Sequence, residues 1–336
     1  MKVLLHINSL AVGGAEVTVV KLAGHWVKQG HEVVILTQTT VESDRLQVPE
    51  GVLRLTTDTA GVSQSLFDGL SRNLRRLRRL RRMMRTLKPG MVIGFLPTAN
   101  VQLLLAGIGL GIRTFVAERA YPEHLQLLPL QTIVRDVMYP RAAGVVVQTR
   151  EGESWYQKRL SLRNTVVIPN GIALPIPQRL PPAPEDKVVP PDAKIILFIG
   201  RMAEPKCPEV AVEAFSDALA DREEWHFVLI GSGDKQQLVS DAAGQGKLRR
   251  RVHVLPEAGN TAEWYERASI FVSVSRFEGF PNVLLEAMAH GVACVAWNCH
   301  PGPSEMIDDG VNGCLVPVND VQAMSRTLRG LVEDQD

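Results

Sequence analysis

With 336 residues, 45% of them apolar and 22% charged, the chain can bury two ordinary cores and has the composition of a globular protein. No apolar run reaches the roughly 20 residues of a membrane-spanning helix. Residues 1–8 are too short for a secretory h-region and lack a cleavage site, so a cytosolic protein is expected. The net charge of +1 conceals an asymmetry: nine of the 37 Lys and Arg residues lie in 72–88, leaving 28 against 36 acidic residues elsewhere.

Strand-like and helix-like segments alternate along the whole chain. In the first half a short apolar strand is expected at 3–7, a helix at 14–29, and further strands at 32–36, 91–95, 114–117, 145–147 and 166–168. In the second half strands are expected at 194–200, 226–231, 252–255, 270–274, 292–296 and 314–316, with helical patterns between them. Short apolar strands alternating with helices indicate parallel sheets covered on both faces. Seven prolines in 175–191 mark a linker. The expected architecture is α/β, two Rossmann-like lobes: 1–174, the linker 175–191, and 192–336. Ligands of such folds bind at the carboxyl ends of strands, here expected in a cleft between the lobes.

Candidate chemistry follows the strands in order. Gly13-Gly14-Ala15-Glu16 opens the first helix, and Gly13 and Gly14 would let backbone approach a phosphate or sugar. The pattern is not Gly-x-Gly-x-x-Gly, and a plain tight turn is the alternative. Residues 70–88 form a basic amphipathic helix with the stripe Leu70, Leu74, Leu77, Leu80, Met84 and Leu87. Its arginines, among them Arg75, Arg78, Arg79 and Arg82, point to an anionic membrane surface or a polyphosphate. Nucleic acid is not expected, because no aromatic residue lies between Phe67 and Phe95 to stack bases. Gly107-Ile108-Gly109-Leu110-Gly111 imitates a glycine fingerprint but ends a helix and precedes a strand, the reverse of the order nucleotide binding needs. Glu118-Arg119 follows a strand, so Arg119 could meet a phosphate or an acceptor, and a surface Glu–Arg pair is the alternative. Asn170-Gly171 reads as a turn or hinge.

Gly200-Arg201-Met202-Ala203-Glu204-Pro205-Lys206 directly follows a strand, and Arg201 and Lys206 could clamp a diphosphate. Two solvated loop cations are the alternative. Glu278-Gly-Phe-Pro-Asn-Val-Leu-Leu-Glu286 places one carboxylate before a helix N-terminus and a second inside the helix. The amides of that start form a site for negative charge, which suits a ligand carrying both hydroxyls and phosphates, such as a nucleotide sugar. An Asp-x-Asp metal spacing occurs only at Asp334-Gln335-Asp336, so no metal and no cofactor are expected. The cysteines Cys207, Cys294, Cys299 and Cys314 form no Cys-x-x-Cys pair and no zinc spacing with His, so reduced, buried thiols are expected.

Taken together in this order, Gly13-Gly14-Ala15-Glu16, Glu118-Arg119, Pro169-Asn170-Gly171, Gly200-Arg201 with Lys206, Glu278 with Glu286, and Gly310-Val311-Asn312-Gly313 resemble the glycosyltransferase family 4 enzymes of the GT-B fold. The resemblance covers nearly the whole chain. The short first lobe with its arginine-rich helix is similar to bacterial transferases that extend polyprenyl-diphosphate-linked oligosaccharides, N-acetylgalactosaminyltransferases among them. The resemblance implies a retaining transfer from a nucleotide diphosphate sugar, UDP favoured, with the leaving diphosphate as base. Glu278 would bind the donor sugar, and Glu286 the ribose. Backbone at Gly200, Phe280, Asn282 and Val283 would face sugar or phosphate, and Arg201 and Lys206 would hold the diphosphate. The implied acceptor is a glycan, lipid-linked in the similar transferases, at the inner face of the cytoplasmic membrane. Two departures stand out: Glu118-Arg119 occupies the place where many members carry a His, a role Arg119 or His124 could fill, and the chain stops before the family's final crossover helix. A nucleotide-sugar epimerase of the same fold, or a non-catalytic sugar- or nucleic-acid-binding protein, is the alternative.

Overall fold

The computed structural model describes residues 1–11, 13–60, 66–125, 127–172, 174–178, 181–244 and 246–334, with the side chains of 66–70 and 246–247 left aside. Gln335 and Asp336 of the Asp-x-Asp spacing, and the Leu70 side chain of the expected stripe, therefore lie outside the described residues. The chain divides into two compact units, Met1–Asn170 and Gly171–Asp336.

The first unit runs β1 (Lys2–His6), α1 (Gly14–Lys28), β2 (Glu32–Thr37), β3 (Val52–Thr56), α2 (Leu66–Leu87), β4 (Met91–Phe95) and α3 (Pro97–Gly107). It continues with β5 (Arg113–Ala117), α4 (Pro129–Met138), β6 (Gly144–Val147), α5 (Arg150–Leu160) and β7 (Thr165–Val167). Its strands form one sheet in the order β3-β2-β1-β4-β5-β6-β7, and every pairing is parallel. Parallel strands with helical crossovers bury both faces, so Leu4, Val34 and Val92 pack under α2 and α3 while Val3, Leu5 and Ile35 pack under α1.

The second unit runs β8 (Lys194–Ile199), α6 (Pro208–Leu219), β9 (Trp225–Ile230), α7 (Gln236–Ala243), β10 (Val252–Leu255) and α8 (Thr261–Arg267). It ends with β11 (Ile270–Ser273), α9 (Asn282–Ala289), β12 (Ala293–Trp297), β13 (Cys314–Val316) and α10 (Val321–Glu333). The strand order β10-β9-β8-β11-β12-β13 is the doubly wound arrangement, with its reversal between β8 and β11. Both sheets bear out the expected Rossmann-like architecture.

The apolar periodicity does not reveal β3. Its Val-Leu-Arg-Leu-Thr sequence carries Arg54 mid-strand, and that guanidinium is held by Asp44 at 2.8 Å with both side chains largely out of solvent. A charged residue interrupting the apolar run hid an edge strand whose Leu53 stays half exposed. The proline-rich segment expected as a linker is anchored on the second unit. The Gly259 amide donates to the Pro181 carbonyl at 2.6 Å, the Trp264 indole to the Ala183 carbonyl at 3.0 Å, and Val189 joins the core beneath α8. The four cysteines are free thiols, three of them buried.

Candidate active site

The reversal of strand order in the second sheet marks where a ligand site is expected in such a fold. Strands β8 and β11 are separated in sequence by residues 200–269 yet adjacent in the sheet, with Ile196 opposite Ile270. The loops leaving their carboxyl ends therefore meet, and one carries Lys206 and the other Glu278. The Lys206 ammonium is ion-paired with the Glu278 carboxylate, and the two side chains are 23% and 10% exposed. The Arg201 side chain, by contrast, is exposed and makes no hydrogen bond or ion pair with a described residue, so nothing among the described residues joins it to Lys206 as a clamp.

Three loops are stitched into one platform. The Met202 amide donates to the Ser232 carbonyl at 3.0 Å and the Lys235 amide to the Met202 carbonyl at 2.8 Å, joining the loops after β8 and β9. The Arg276 amide donates to the Pro205 carbonyl at 2.9 Å, joining the loop after β11. Side chains repeat the pattern: the Lys235 ammonium bridges Glu204 and Glu209, and the Arg276 guanidinium takes the other Glu204 oxygen. Glu204, Cys207 and Glu209 have donor atoms close enough to share a metal ion. Lys235 and Arg276 already supply positive charge to those carboxylates, which makes the cluster a charge network for the loops rather than a cation site. Gly200, whose amide bonds the Ile230 carbonyl at 2.9 Å, begins this platform.

Glu278 is fitted closely on its far side. Gly302 has φ +145, a region L side chains rarely adopt, and a Cβ there would sit 3.1 Å from the Glu278 Cβ and 3.4 Å from Pro281. Cys299 is buried near the same pair; burial first, and then the Glu278 charge, push its thiol up to about 12, so it stays protonated and inert. Helix α9 starts at Asn282 after Pro281, as the sequence indicates, with Phe280 half-buried before it and Val283 in its first turn. First-turn amides lack intrahelical acceptors, so this helix end favours negative charge.

Glu286 is half-buried on α9 and accepts a hydrogen bond from the Tyr265 hydroxyl at 3.1 Å. Tyr265 is 1% exposed, shares its single hydroxyl proton between Glu286 and the Val283 carbonyl at 3.2 Å, and stacks against His290 with ring centroids 5.3 Å apart. Burial, and then the Glu286 charge, hold this phenol well above its ordinary value, so it remains a donor. Sequence reasoning missed Tyr265 because Trp264-Tyr265 on an apolar helix reads as core. We expect Tyr265→Phe to raise the donor KM about tenfold, the value of one hydrogen bond to a charged group, with kcat little changed. Steady-state kinetics at varied donor concentration check this, and an unaltered KM would remove Tyr265 from the site.

In the first unit Gly13 is the N-cap of α1 and Gly14 its first residue, and the Glu16 carboxylate folds back over Gly13, where a Cβ would clash with it. Glu118 and Arg119 are not a surface pair, because consecutive residues leaving a strand point to opposite sides. Glu118 is 2% exposed and accepts from the Tyr139 hydroxyl and from Asn100 Nδ2 at 2.9 Å. Burial raises its carboxyl to about 7 against those hydrogen bonds. The Arg119 guanidinium donates to Thr18 Oγ1 at 2.8 Å and to Asn170 Oδ1, and burial lowers it to about 10. Asn170-Gly171 lies in irregular backbone after β7, and Asn170 serves as the acceptor for Arg119. Arg119 is thus a partly buried residue fixing α1 to the end of its unit, and His124 is exposed beside Tyr121. Gly310-Val311-Asn312-Gly313 is a turn into β13, closed by the Gly310 amide on the Gly313 carbonyl at 2.8 Å, with Val311 83% exposed.

On α2, Leu80 and Met84 are buried, Leu77 and Leu87 pack beside them, and Leu74 is 45% exposed. Two arginines face the protein: Arg76 donates to the Thr59 carbonyl at 2.8 Å, and Arg81 to the Ala106 and Ile108 carbonyls at the end of α3. Arg75, Arg78, Arg79, Arg82 and Arg85 make no ion pair with a described residue, and most of this arginine face is open to solvent. The glycine-rich run 107–111 ends α3 and leads into β5, as expected of a decoy.

Comparison with known families agrees with this fold. Residues 12–174 match the model described as Glycosyltransferase Family 4, and residues 193–334 match Glycosyl transferases group 1. The chain belongs to the GT-B glycosyltransferases. One relative is a Campylobacter jejuni enzyme named as an α-1,4-N-acetyl-D-galactosaminyltransferase acting on a diNAcBac-PP-undecaprenol-linked glycan. It is 25% identical over 337 residues, covering 100% of this chain and 90% of that protein. A Haemophilus influenzae protein described as an uncharacterized glycosyltransferase is 25% identical over 192 residues, which are 57% of this chain, and the match spans only 52% of that relative's length. The crystal structure of Anabaena HepE in complex with UDP superposes with a TM-score of 0.77 at 18% identity, covering 100% of this chain and 91% of that one, a likeness of fold.

Proposed function

We propose that this GT-B glycosyltransferase moves a hexose or N-acetylhexosamine from a UDP-sugar to a lipid-linked glycan with retention of anomeric configuration. The observation that carries the reading is the meeting of Lys206 and Glu278 at the sheet's switch point, at the N-terminus of the helix that presents Glu286. In this reading Glu278 accepts hydrogen bonds from hydroxyls of the transferred sugar, and Glu286, aligned by Tyr265, takes those of the ribose. Lys206, Arg201 and the α9 N-terminus hold the diphosphate as charge builds on it. The bond from the anomeric carbon to the diphosphate oxygen breaks, the acceptor oxygen bonds that carbon on the same face, and the acceptor proton passes to the departing diphosphate. The name of the Campylobacter jejuni relative supports the polyprenyl-diphosphate acceptor, and the UDP bound to Anabaena HepE supports uridine as the donor's nucleoside. The exposed arginines of α2 supply attraction to anionic lipid or to the acceptor's diphosphate, and the enzyme then works peripherally on the inner face of the cytoplasmic membrane.

Calorimetry against a panel of nucleoside diphosphates and their sugars tests the donor, with UDP expected to bind tightest. Proton NMR of the product is expected to show the donor's own anomeric configuration, and an inverted linkage would overturn the retaining step. Donor conversion without any acceptor would identify an epimerase instead.

A further inference from the structure

Helix α4 turns its apolar side outward. Leu128 at its N-cap is 67% exposed, Leu130 70%, Ile133 60% and Val137 53%, whereas Met138 on the opposite side is 5% exposed. Positions 130, 133 and 137 fall on one helix face and extend about 10 Å along it. The acid of this helix, Asp136, is taken up by the Arg135 guanidinium at 2.8 Å, and Arg135 itself lies over the Trp155 ring. Such apolar side chains are stabilised by burial, so a contiguous strip left in solvent marks an interaction surface.

The surrounding fold bears on what could cover it. Leu4, Val92, Val116 and Val145 occupy one face of the first sheet, because Leu4 pairs with Val92, Gly94 with Val116 and Val116 with Val145 in register. On that face α2 packs against α3 through Leu80, Met84, Leu103 and Ala106, and α3 packs against α4 through Leu104 and Met138. The exposed arginines of α2 and the exposed apolar strip of α4 therefore belong to one layer of helices. An anionic bilayer offers both complements, phosphate headgroups for the arginines and hydrocarbon for the leucines. A second copy of the chain meeting this layer symmetrically would bring two arginine faces toward one another.

We propose that α4 is a bilayer-inserting wedge, Leu128, Leu130, Ile133 and Val137 entering the acyl boundary while α2 holds the headgroups. The proposal rests on the lipid-acceptor reading above and adds an apolar, salt-resistant component to it. The full chain is mixed with phosphatidylcholine vesicles with and without phosphatidylglycerol, at low and high salt, and bound protein is measured by sedimentation. The triple variant Leu130→Ser, Ile133→Ser, Val137→Ser is expected to lose about tenfold or more in partitioning and all binding that survives high salt. Its thermal midpoint should stay unchanged, since the altered side chains are exposed. The variant of Arg75, Arg78, Arg79 and Arg82 to Gln should lose only the salt-sensitive part. Leu130→Trp should show blue-shifted emission quenched by brominated acyl chains. If wild type ignores anionic vesicles, both this proposal and the basic-helix reading fall. If wild type binds and the triple variant binds equally, or Leu130→Trp is not quenched, only the α4 proposal falls. A triple variant that changes the sedimentation coefficient of the free protein while vesicle binding is unaltered would make α4 a self-association surface and overturn it.

Discussion

Glu278→Gln is expected to lower kcat/KM for sugar transfer by roughly 10²–10³, the loss seen when one preorganised polar group is removed from a transition state. The substitution keeps the side chain's volume against Gly302 and Pro281 and leaves an amide oxygen facing Lys206, so the fold should survive with a thermal midpoint lowered by only a few degrees. What is lost is the carboxylate charge that holds the Lys206 ammonium in place and, in the proposed function, aligns the sugar. Lys206→Met should cost a comparable factor, because the diphosphate then departs without its point charge. The two residues touch, so the double variant should be no worse than about the poorer single one. Initial rates with a UDP-sugar donor, alongside thermal melts, check all three. Turnover of Glu278→Gln within a few-fold of wild type would sink the assignment of this carboxylate.

Gly231→Ala should be the most damaging small substitution in the second unit. Gly231 has φ +148, and a Cβ built on it would overlap the Gly200 carbonyl oxygen, which is backbone and cannot rotate away. The two loops are also held together by the Gly200 amide on the Ile230 carbonyl at 2.9 Å and the Met202 amide on the Ser232 carbonyl at 3.0 Å. The strained backbone alone costs about 1–3 kcal/mol and the overpacking a similar amount. Together, about 2–6 kcal/mol, they correspond to a midpoint lower by about 6–18 °C at roughly 3 °C per kcal/mol for a domain of this size. The loop that carries Lys206 must also shift, so affinity for a nucleoside diphosphate should fall with stability. Gly330→Ala is the control: it lies within α10, a Cβ there meets nothing within 4 Å, and it should be neutral or slightly stabilising. Differential scanning calorimetry and nucleotide titration of both variants decide the matter. Wild-type stability in Gly231→Ala would mean the loops are not locked together as described.

The Gly231-Ser232-Gly233 run is visible in the sequence, directly after an apolar strand, but its partner is not. Its glycines are demanded by the Gly200–Met202 backbone, about 30 residues away along the chain, and no local pattern records that neighbour. Tyr265 is hidden for a different reason: a buried tyrosine and a ligand-orienting tyrosine have the same local sequence, and only the position of Glu286 separates them. Glu118 shows the converse. It looks like a surface partner of Arg119, yet strand alternation carries the two apart, one into the core with Tyr139 and Asn100, the other toward Thr18 and Asn170.

Apolar runs and helical periods are local properties, so the alternation of strands and helices, and hence the parallel sheets, is legible in the order of residues alone. The residue types after the strands and in the helix that follows β11 are legible too, and so the candidates Lys206, Glu278 and Glu286. Which of these meet depends on the folded arrangement. Strand order is set by packing across the whole sheet, and the placement of β11 beside β8 joins Lys206 to Glu278 over 72 residues of chain. The same long-range packing left Arg201 in solvent and turned the apolar side of α4 outward. Neither is written in any window of the sequence, since exposure depends on what the rest of the fold brings to cover a face.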